Sequence, residues 1–225
     1  MGPFMEEPTI STISQNDDEN RVTKGARTRA LIKQQIASLV GQNSPSTVTL
    51  QDICRAANVT AGSFYFHFRN KDAALEETAH DAITRHYGAL LSVTESDEPL
   101  NRQLKKLIEA FLLNYMEHTE QARLIHMIVP SSQNAKQVWD SERGKLVEKL
   151  EDLVRRVRHA EARDPHSFFT AEFLLTATES FLDNVFFGTD ARLQAAVGAP
   201  ALIAQNVAAI WERAILNEDP IGDYL

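Results

Sequence analysis

The sequence predicts an all-α fold, and three observations support this prediction. Apolar residues recur at the three- and four-residue spacing of a helix along most of the chain after residue 23. Proline, glycine and other turn-forming residues interrupt that pattern at intervals that suit helices of ordinary length. No segment shows the convincing alternation of apolar and polar residues that marks a half-buried strand. We therefore expect helices that pack on helices, without a sheet.

The composition limits the class of protein. Of the 225 residues, 43% are hydrophobic and 24% are charged, which allows a substantial core. The single cysteine, Cys54, excludes an intramolecular disulfide framework and a multi-cysteine metal cluster. No apolar run approaches the roughly 20 residues of a membrane-spanning helix, and residues 1–20 lack the pattern of a secretory signal. We expect a soluble cytoplasmic protein with no membrane contact, no cofactor and, because the histidines lack metal-ligand spacing, no metal site.

The charge is distributed unevenly along the chain. The net charge of −8 divides into −5 for residues 1–20, +7 for residues 21–71 and −10 for residues 72–225. The middle segment holds eight basic residues against one acid, Asp52, as binding to a phosphate backbone would require. We predict a disordered lead-in over residues 1–20, a DNA-binding domain over 21–71 and a larger helical regulatory domain over 72–225.

The basic segment predicts three helices. Helical periodicity begins at Lys24 and should end at the turn formers of residues 41–45. Thr49 is suited to cap a second helix, and Asn58 tolerates the left-handed conformation that ends such a helix. Thr60 then caps a short third helix that runs to Phe68.

The remaining segments also have helical period. A long fourth helix is expected from Asn70 or Asp72 to about Val93, and a loop is expected between Gly188 and Gly198. The other predicted helices are one from Pro99 through Tyr115, Leu124–Val129, Gln137–Ala160, Ser167–Phe187 and Ala199–Leu216.

The second and third helices have the properties of a helix-turn-helix. In this motif the first helix braces across the DNA groove and the start of the second lies against base edges. Gly62 in the first turn of the third helix costs about 1 kcal/mol relative to alanine, but it lets the backbone approach another surface. Phe64 and Phe68, four residues apart, are expected in the core, whereas Tyr65 and His67 on the flanks carry polar tips suited to phosphate oxygens.

Residues 29–75, about a fifth of the chain, resemble the N-terminal domain of the TetR/AcrR family of transcriptional repressors. The residues that carry the resemblance are Arg29 and Ile32, Leu39 and Val40, Thr49, Ile53 and Cys54, Ala57 to Thr60, Gly62, Phe64 and Tyr65, His67 and Phe68, Lys71 and Asp72, and Leu75. Asn58 replaces the usual glycine of the turn, and Ser44-Pro45 stand in place of a glycine and a hydrophobic residue, so the first loop is expected to differ locally.

The resemblance implies roles for individual residues. Thr49, Tyr65, His67 and Lys71 resemble phosphate contacts, and Thr60 resembles the cap of the recognition helix, which can also touch phosphate. Ala61, Gly62 and Ser63 resemble the base-facing positions. Because Ala61 offers no hydrogen bond, sequence readout rests on Ser63, on contact with a thymine methyl group, or on DNA shape.

The last helices are expected to form a homodimer. The family pairs its two C-terminal helices with those of a second copy, and residues 167–187 carry apolar side chains around nearly the whole helix. A helix that is apolar all round needs two buried faces, which a dimer or a central position in a monomer would provide. The predicted interface residues are Phe173, Phe181, Val185, Ile210 and Trp211.

The family also implies a ligand pocket among the central helices and a repressor that leaves a palindromic operator when a small, mainly apolar inducer binds. The pocket candidates, each of which plain core packing would also explain, are Tyr87, Phe111, Tyr115, His118, Met127, Trp139 and Phe173. Two other classes stay open, a helical enzyme and a ligand-independent DNA-binding or nucleoid-associated adaptor. The enzyme is less favoured because no catalytic triad, phosphate-binding glycine loop or Cys/His pairing stands out.

Overall fold

The first helix is longer than the sequence predicts. In the computed structural model, which describes residues 10–94, 98–160 and 164–216, helix α1 spans Ile10–Gln42. It therefore begins before Lys24, and residues 10–20, predicted as a disordered lead-in, are helical. No proline or glycine lies between Ile10 and Lys24, so nothing in this stretch breaks the helix. Residues 1–9 of the predicted lead-in lie outside the described residues.

The next three helices follow the predicted capping signals. Helix α2 spans Leu50–Ala56 and α3 spans Ala61–His67, so the two are short and closely spaced. Helix α4 spans Lys71–Val93, and its N-cap is Asn70, whose side-chain oxygen accepts a hydrogen bond from the backbone N–H of Ala73 at 2.8 Å. The cap satisfies one of the backbone donors that a helix N-terminus leaves free.

Six more α-helices and two 3-10 helices, Val129–Ser131 and Ala196–Gly198, complete the described part of the chain, in which all the regular structure is helical, as predicted. A short helix, α9, lies within the segment that was predicted as a loop between Gly188 and Gly198. The bounds are α5 Leu100–Glu117, α6 Thr119–Ile128, α7 Gln133–Val157, α8 Pro165–Phe187, α9 Ala191–Ala195 and α10 Pro200–Leu216.

The N-terminal core is shared between α1, α2, α3 and the first half of α4. Ile32, Ile53 and Phe64 are fully buried in it. Leu124 and Ile128 of α6, with Ala135 of α7, belong to the same cluster of buried residues. The core of the predicted DNA-binding domain therefore includes side chains from beyond residue 71.

The second core lies among α4, α5, α7, α8 and α10. Helices α4 and α7 pack together, α5 packs on α10, and α7 packs on α8. Trp211 of α10 is buried at the centre, where its indole N–H donates to the hydroxyl of Thr178 at 3.0 Å. This bundle surrounds the cavity described below and supports the N-terminal helices through α4 and α6.

Candidate nucleic-acid interface and central cavity

The turn between α2 and α3 has the geometry of a helix-turn-helix. Thr49 and Asp52 form a capping box at the start of α2, in which the Asp52 backbone N–H donates to the Thr49 hydroxyl at 3.2 Å and the Thr49 N–H donates to Asp52 Oδ2 at 3.1 Å. Asn58 has φ of 51°, the left-handed conformation that ends α2. The Thr60 hydroxyl then caps α3 by accepting from the Ser63 backbone N–H at 3.1 Å. The two helix caps and the left-handed residue Asn58 therefore determine how α3 is oriented relative to α2.

The start of α3 presents small side chains to the outside. Ala61 and Gly62 are exposed and Ser63 is half-buried. A β-carbon built on Gly62 would meet only the Thr60 hydroxyl, at 3.9 Å. Because the fold leaves space for a side chain at this position, the glycine is not needed for packing within the protein. Its value is clearance on the outer side, where a groove of DNA would lie.

The aromatic residues of α3 divide between the core and the surface. Phe64 and Phe68 are buried and their ring centroids lie 5.5 Å apart, as the sequence predicts. Tyr65 is 56% exposed and Phe66 is 83% exposed. Because Phe66 is exposed on the same short helix as Ala61, Gly62 and Ser63, the positions predicted to face the bases, it joins the candidate interface.

The sequence analysis gave Phe66 no role, although helical periodicity alone predicts that its side chain is exposed. Successive side chains on a helix are rotated by about 100°, so a residue midway between Phe64 and Phe68 points away from the core that both of them enter.

His67 lies at the end of α3, beside α1. Its backbone carbonyl accepts a hydrogen bond from the Arg29 guanidinium, which also binds the carboxylate of Glu77 and lies 4.4 Å from the ring centroid of Phe68. Burial and the Arg29 charge lower the pKa of His67, so the imidazole is neutral near pH 7 and has one N–H to donate. Although burial opposes it, hydrogen bonds from Arg29 and Lys33 lower the pKa of Glu77. Arg29 of α1 thus connects α1 to both α3 and α4.

Lys71 is half-buried at the start of α4. Its ammonium donates to the backbone carbonyls of Val48 at 2.9 Å and Pro45 at 3.4 Å. An ammonium has three donors, so one is left for another acceptor. The side chain both secures the loop between α1 and α2 and places a cation near the capped start of α2.

A cavity of about 160 Å³ lies in the bundle between α4, α5, α6, α7 and α8. Three of the predicted pocket residues line it: Tyr87, Tyr115 and Trp139. The α6 side contributes Ala122 and Ile125. The lining is therefore aromatic and aliphatic over much of its surface.

The cavity also has polar groups that the sequence did not reveal as partners. Glu179 and Asp183, one turn apart on α8, accept hydrogen bonds from Tyr87 at 2.7 Å and Tyr115 at 2.8 Å, respectively. Carboxylates and burial raise the pKa of both phenols, which stay protonated. Burial lowers the pKa of His86 to about 4, so this imidazole is neutral in the cavity wall.

The other predicted pocket residues lie elsewhere. Phe111 is fully buried beneath the cavity, where its ring contacts His86. His118 borders a separate small hollow between α4, α5 and α6, and Met127 packs against the N-terminal core. Phe173 is 72% exposed, because the face of α8 on which it lies is turned away from the bundle.

Of the residues predicted to form the dimer interface, some are buried within one protomer and others are exposed on its surface. Val185 is fully buried and Trp211 is 2% exposed, so both belong to the core of one protomer and are not available to a second copy. Phe173 and Ile210 are 72% and 58% exposed. Phe181 is half-buried. The large apolar residues of α8 and α10 that are exposed, which we call the α8–α10 surface, are Phe168, Phe169, Phe173, Leu202, Ile210 and Leu216.

Helix α6 lies between the cavity and the N-terminal helices. One face lines the cavity, and the opposite face places Leu124 and Ile128 in the N-terminal core. At its start the carboxylate of Glu120 accepts from the Ser38 hydroxyl of α1 at 3.0 Å. A displacement of α6 would therefore be transmitted directly to α1.

None of the described helices is long and apolar enough to cross a membrane. Within the same residues, no three histidine, cysteine or acidic side chains are grouped so as to hold a metal ion.

Comparison with known proteins agrees with this architecture. Residues 34–78 match the family model of "Bacterial regulatory proteins, tetR family". No curated protein sequence gives a significant match.

Three solved structures are similar in fold. A TetR-like transcriptional regulator from Rhodococcus sp. RHA1 aligns with a TM-score of 0.68 at 14% identity, over 84% of this chain and 96% of that one. A transcriptional regulator from Pseudomonas aeruginosa PAO1 aligns with a TM-score of 0.62 at 17% identity, over 83% and 88%. A TetR-family regulator from Bordetella parapertussis 12822 gives 0.61 at 16% identity, over 81% and 93%.

The match of residues 34–78 identifies the helix-turn-helix as the DNA-binding domain of bacterial regulatory proteins, and the rest of the chain shares its fold with solved transcriptional regulators. The resemblance seen in the sequence is confirmed, since the chain carries the N-terminal domain of the tetR family of bacterial regulatory proteins.

Proposed function

We propose that this protein is a dimeric repressor that binds a palindromic operator and is released from it by a small molecule bound in the central cavity. The observation that carries the proposal is the position of α6, which contacts the cavity with one face and the N-terminal core with the other. A ligand that moves α6 also moves α1, and with it the recognition helix that Arg29 fastens to α1 and α4.

The DNA-facing roles follow from exposure and capping. Ala61, Gly62 and Ser63 begin the recognition helix and are proposed to face the bases. Thr60 caps that helix, and we propose that its side chain also contacts a phosphate of the DNA backbone. The proposed phosphate contacts are Thr49, Tyr65, His67 and Lys71, with Phe66 as an apolar contact to sugar or base.

The dimer is supported by the α8–α10 surface. Single exposed apolar residues are common on proteins, but six large ones on α8 and α10, two helices that contact each other, support an interface between two copies. Two copies joined there would present two recognition helices, whose separation must match about one turn of DNA. Operator affinity then depends on the angle between the two N-terminal domains.

The test is selection of bound duplexes from a random pool, followed by affinity measurement on the selected sequence. We expect a two-fold symmetric site whose half-sites lie about 10 base pairs apart or a multiple of that distance. Sequence-blind binding would instead support a nucleoid-associated adaptor. A cavity ligand that leaves operator affinity unchanged would contradict the proposed coupling.

A further inference from the structure

We propose that the ligand of the central cavity is a compact organic cation, an amine carried on an apolar body, that is held by Asp183 together with the aromatic walls. This inference rests on the proposed function only in taking the cavity as a ligand site. The proposed ligand differs from the mainly apolar inducer predicted from the sequence in that it carries a positive charge.

The charged lining of the cavity is acidic. Among the described residues, the carboxylates that line it are Glu179 and Asp183, and no lysine or arginine belongs to its lining. An anion entering this space would meet two carboxylates and the acceptor sides of two tyrosine hydroxyls. A cation would be attracted by the carboxylates and by the hydroxyl oxygens, because charges close to a low-dielectric wall interact more strongly than charges in water.

The two carboxylates differ in how their charge is compensated. Glu179 accepts from the Arg143 guanidinium at 2.9 Å, and Arg143 also binds Glu172 at 2.7 Å from behind the cavity wall. Asp183 has Tyr115 and His126 as partners, at 2.8 Å and 3.1 Å. The phenol is neutral, and the imidazole is charged only when protonated.

Asp183 therefore carries an uncompensated charge whenever His126 is neutral. A carboxylate has about four acceptor positions, of which Tyr115 and His126 use two. The others are free for the N–H donors of a ligand, and binding an ammonium would also reduce the repulsion between Asp183 and Glu179, which stand one helical turn apart.

The aromatic walls suit the same class of ligand. Tyr87, Tyr115 and Trp139 line the cavity, and tyrosine ring faces attract cations. The Trp139 ring already contacts the cations of Arg143 at 5.2 Å and Lys136 at 5.7 Å, so it serves as an apolar wall. Ala122 and Ile125 supply apolar contact for the body of the ligand. A metal ion fits less well, because in the described residues no three potential metal ligands are grouped together.

The volume limits the size of the ligand. A cavity of about 150 Å³ is large enough for benzene, so the 160 Å³ here fits one aromatic ring with a short arm. A suitable probe set is 2-phenylethylamine, 2-phenylethanol and phenylacetate, which share a ring and differ in charge.

The experiment is calorimetric titration of the full-length protein with these three probes at pH 8. We expect the amine to bind at least about tenfold more tightly than the alcohol and the carboxylate not to bind. Asp183→Asn should lower amine affinity by about tenfold or more and leave the affinity for the alcohol unchanged. The charge-matched control is Glu109→Gln, an exposed carboxylate on α5 that pairs with Lys105, and it should leave all three affinities unchanged.

Equal or tighter binding of the alcohol or the carboxylate, or no binding of the amine at 10 mM (about the weakest affinity that such a titration resolves), would overturn the proposal. So would an Asp183→Asn protein that retains full amine affinity. Operator affinity measured with and without the amine separates this proposal from the preceding one. Amine binding that leaves DNA affinity unchanged contradicts the coupling alone, whereas DNA release by a neutral or anionic ligand contradicts the ligand class alone.

Discussion

Gly41, in the last turn of α1, lies directly against Glu120, in the first turn of α6. A β-carbon on Gly41 would stand 3.1 Å from the Cγ and 3.2 Å from the Cβ of Glu120, closer than most such contacts in proteins. Helices α1 and α6 therefore meet at a tight contact, at which one added carbon atom would require Glu120 to move by a few tenths of an ångström.

The first prediction tests this contact. Gly41→Leu should push α1 away from α6 and lower operator affinity by about tenfold, equivalent to 1.4 kcal/mol. By thermodynamic reciprocity, a variant shifted towards the DNA-incompetent conformation should bind a cavity ligand as tightly as the wild type or more tightly. Gly88→Leu is the matched control, because a β-carbon at Gly88 meets nothing within 4 Å. Equal loss of operator affinity in both variants would contradict a specific role of the α1–α6 contact.

The second prediction separates phosphate contacts from base contacts. Lys71→Ala should weaken binding to every duplex and reduce the slope of log affinity against log salt by about 0.9, the value of one phosphate. Ser63→Ala should instead change which base pair is preferred at one position of each half-site. Lys105→Ala, an exposed lysine on α5, should alter neither quantity. The same uniform loss for Lys71→Ala and Ser63→Ala would show that the roles have been assigned wrongly.

The third prediction uses two neighbouring aromatic residues with opposite exposure. Phe66→Ala should change the free energy of unfolding by less than about 0.5 kcal/mol, because the side chain is 83% exposed, yet it should weaken operator binding. Phe64→Ala removes a fully buried ring and should cost about 3–5 kcal/mol of stability. Denaturant unfolding and fluorescence anisotropy measure the two quantities. Unchanged operator affinity in Phe66→Ala would remove this residue from the interface.

The fourth prediction concerns assembly. Phe173→Arg should convert the dimer into a folded monomer, because Phe173 is exposed in the protomer and only a partner would bury the added charge. Sedimentation velocity measures the mass, and circular dichroism checks that helix content is retained. Leu113→Arg, at a 52% exposed position on α5, is the control that should remain dimeric. A dimeric Phe173→Arg protein, or a wild type that sediments as a monomer at micromolar concentration, would exclude the α8–α10 surface as the interface.

The fifth prediction concerns the buried ion pair of Arg143 with Glu179, a residue that lines the cavity. Arg143→Met should destabilise the fold by about 3 kcal/mol, because it leaves the carboxylate of Glu179 buried without its cation. Adding Glu179→Gln should recover part of that loss, since it removes the uncompensated charge. Thermal or denaturant unfolding of the two single variants and the double variant gives the coupling energy. Strictly additive effects would mean that the two side chains do not depend on each other.

Local chemistry explains which features could be predicted from the sequence. Thr49, Asn58 and Thr60 act on their own backbone within three residues, so the caps and the left-handed turn follow directly from residue type. The faces of α8 and α10 could not be predicted in this way. Both helices are apolar nearly all round, and only packing decides that Trp211 points inward and Ile210 outward.

The contacts in the cavity likewise could not be predicted from local sequence patterns. Its aromatic residues were predicted as a class, but the partnership of Asp183 with Tyr115 joins residues 68 positions apart, which no local pattern reveals. The choice between Trp139, which lines the cavity, and Met127, which packs on the N-terminal core, likewise depends on how α6 and α7 cross.

The division of charge along the chain has a consequence for how the molecule approaches DNA. With +7 on residues 21–71 and −10 on residues 72–225, these two parts form an electric dipole, which the −5 of residues 1–20 reduces. If the protein binds DNA as proposed, we expect a duplex to attract the basic segment and to repel the bundle, which favours the productive orientation before contact. Encounters in which the bundle meets the duplex first end without capture, and the rate of productive association falls as salt screens the dipole.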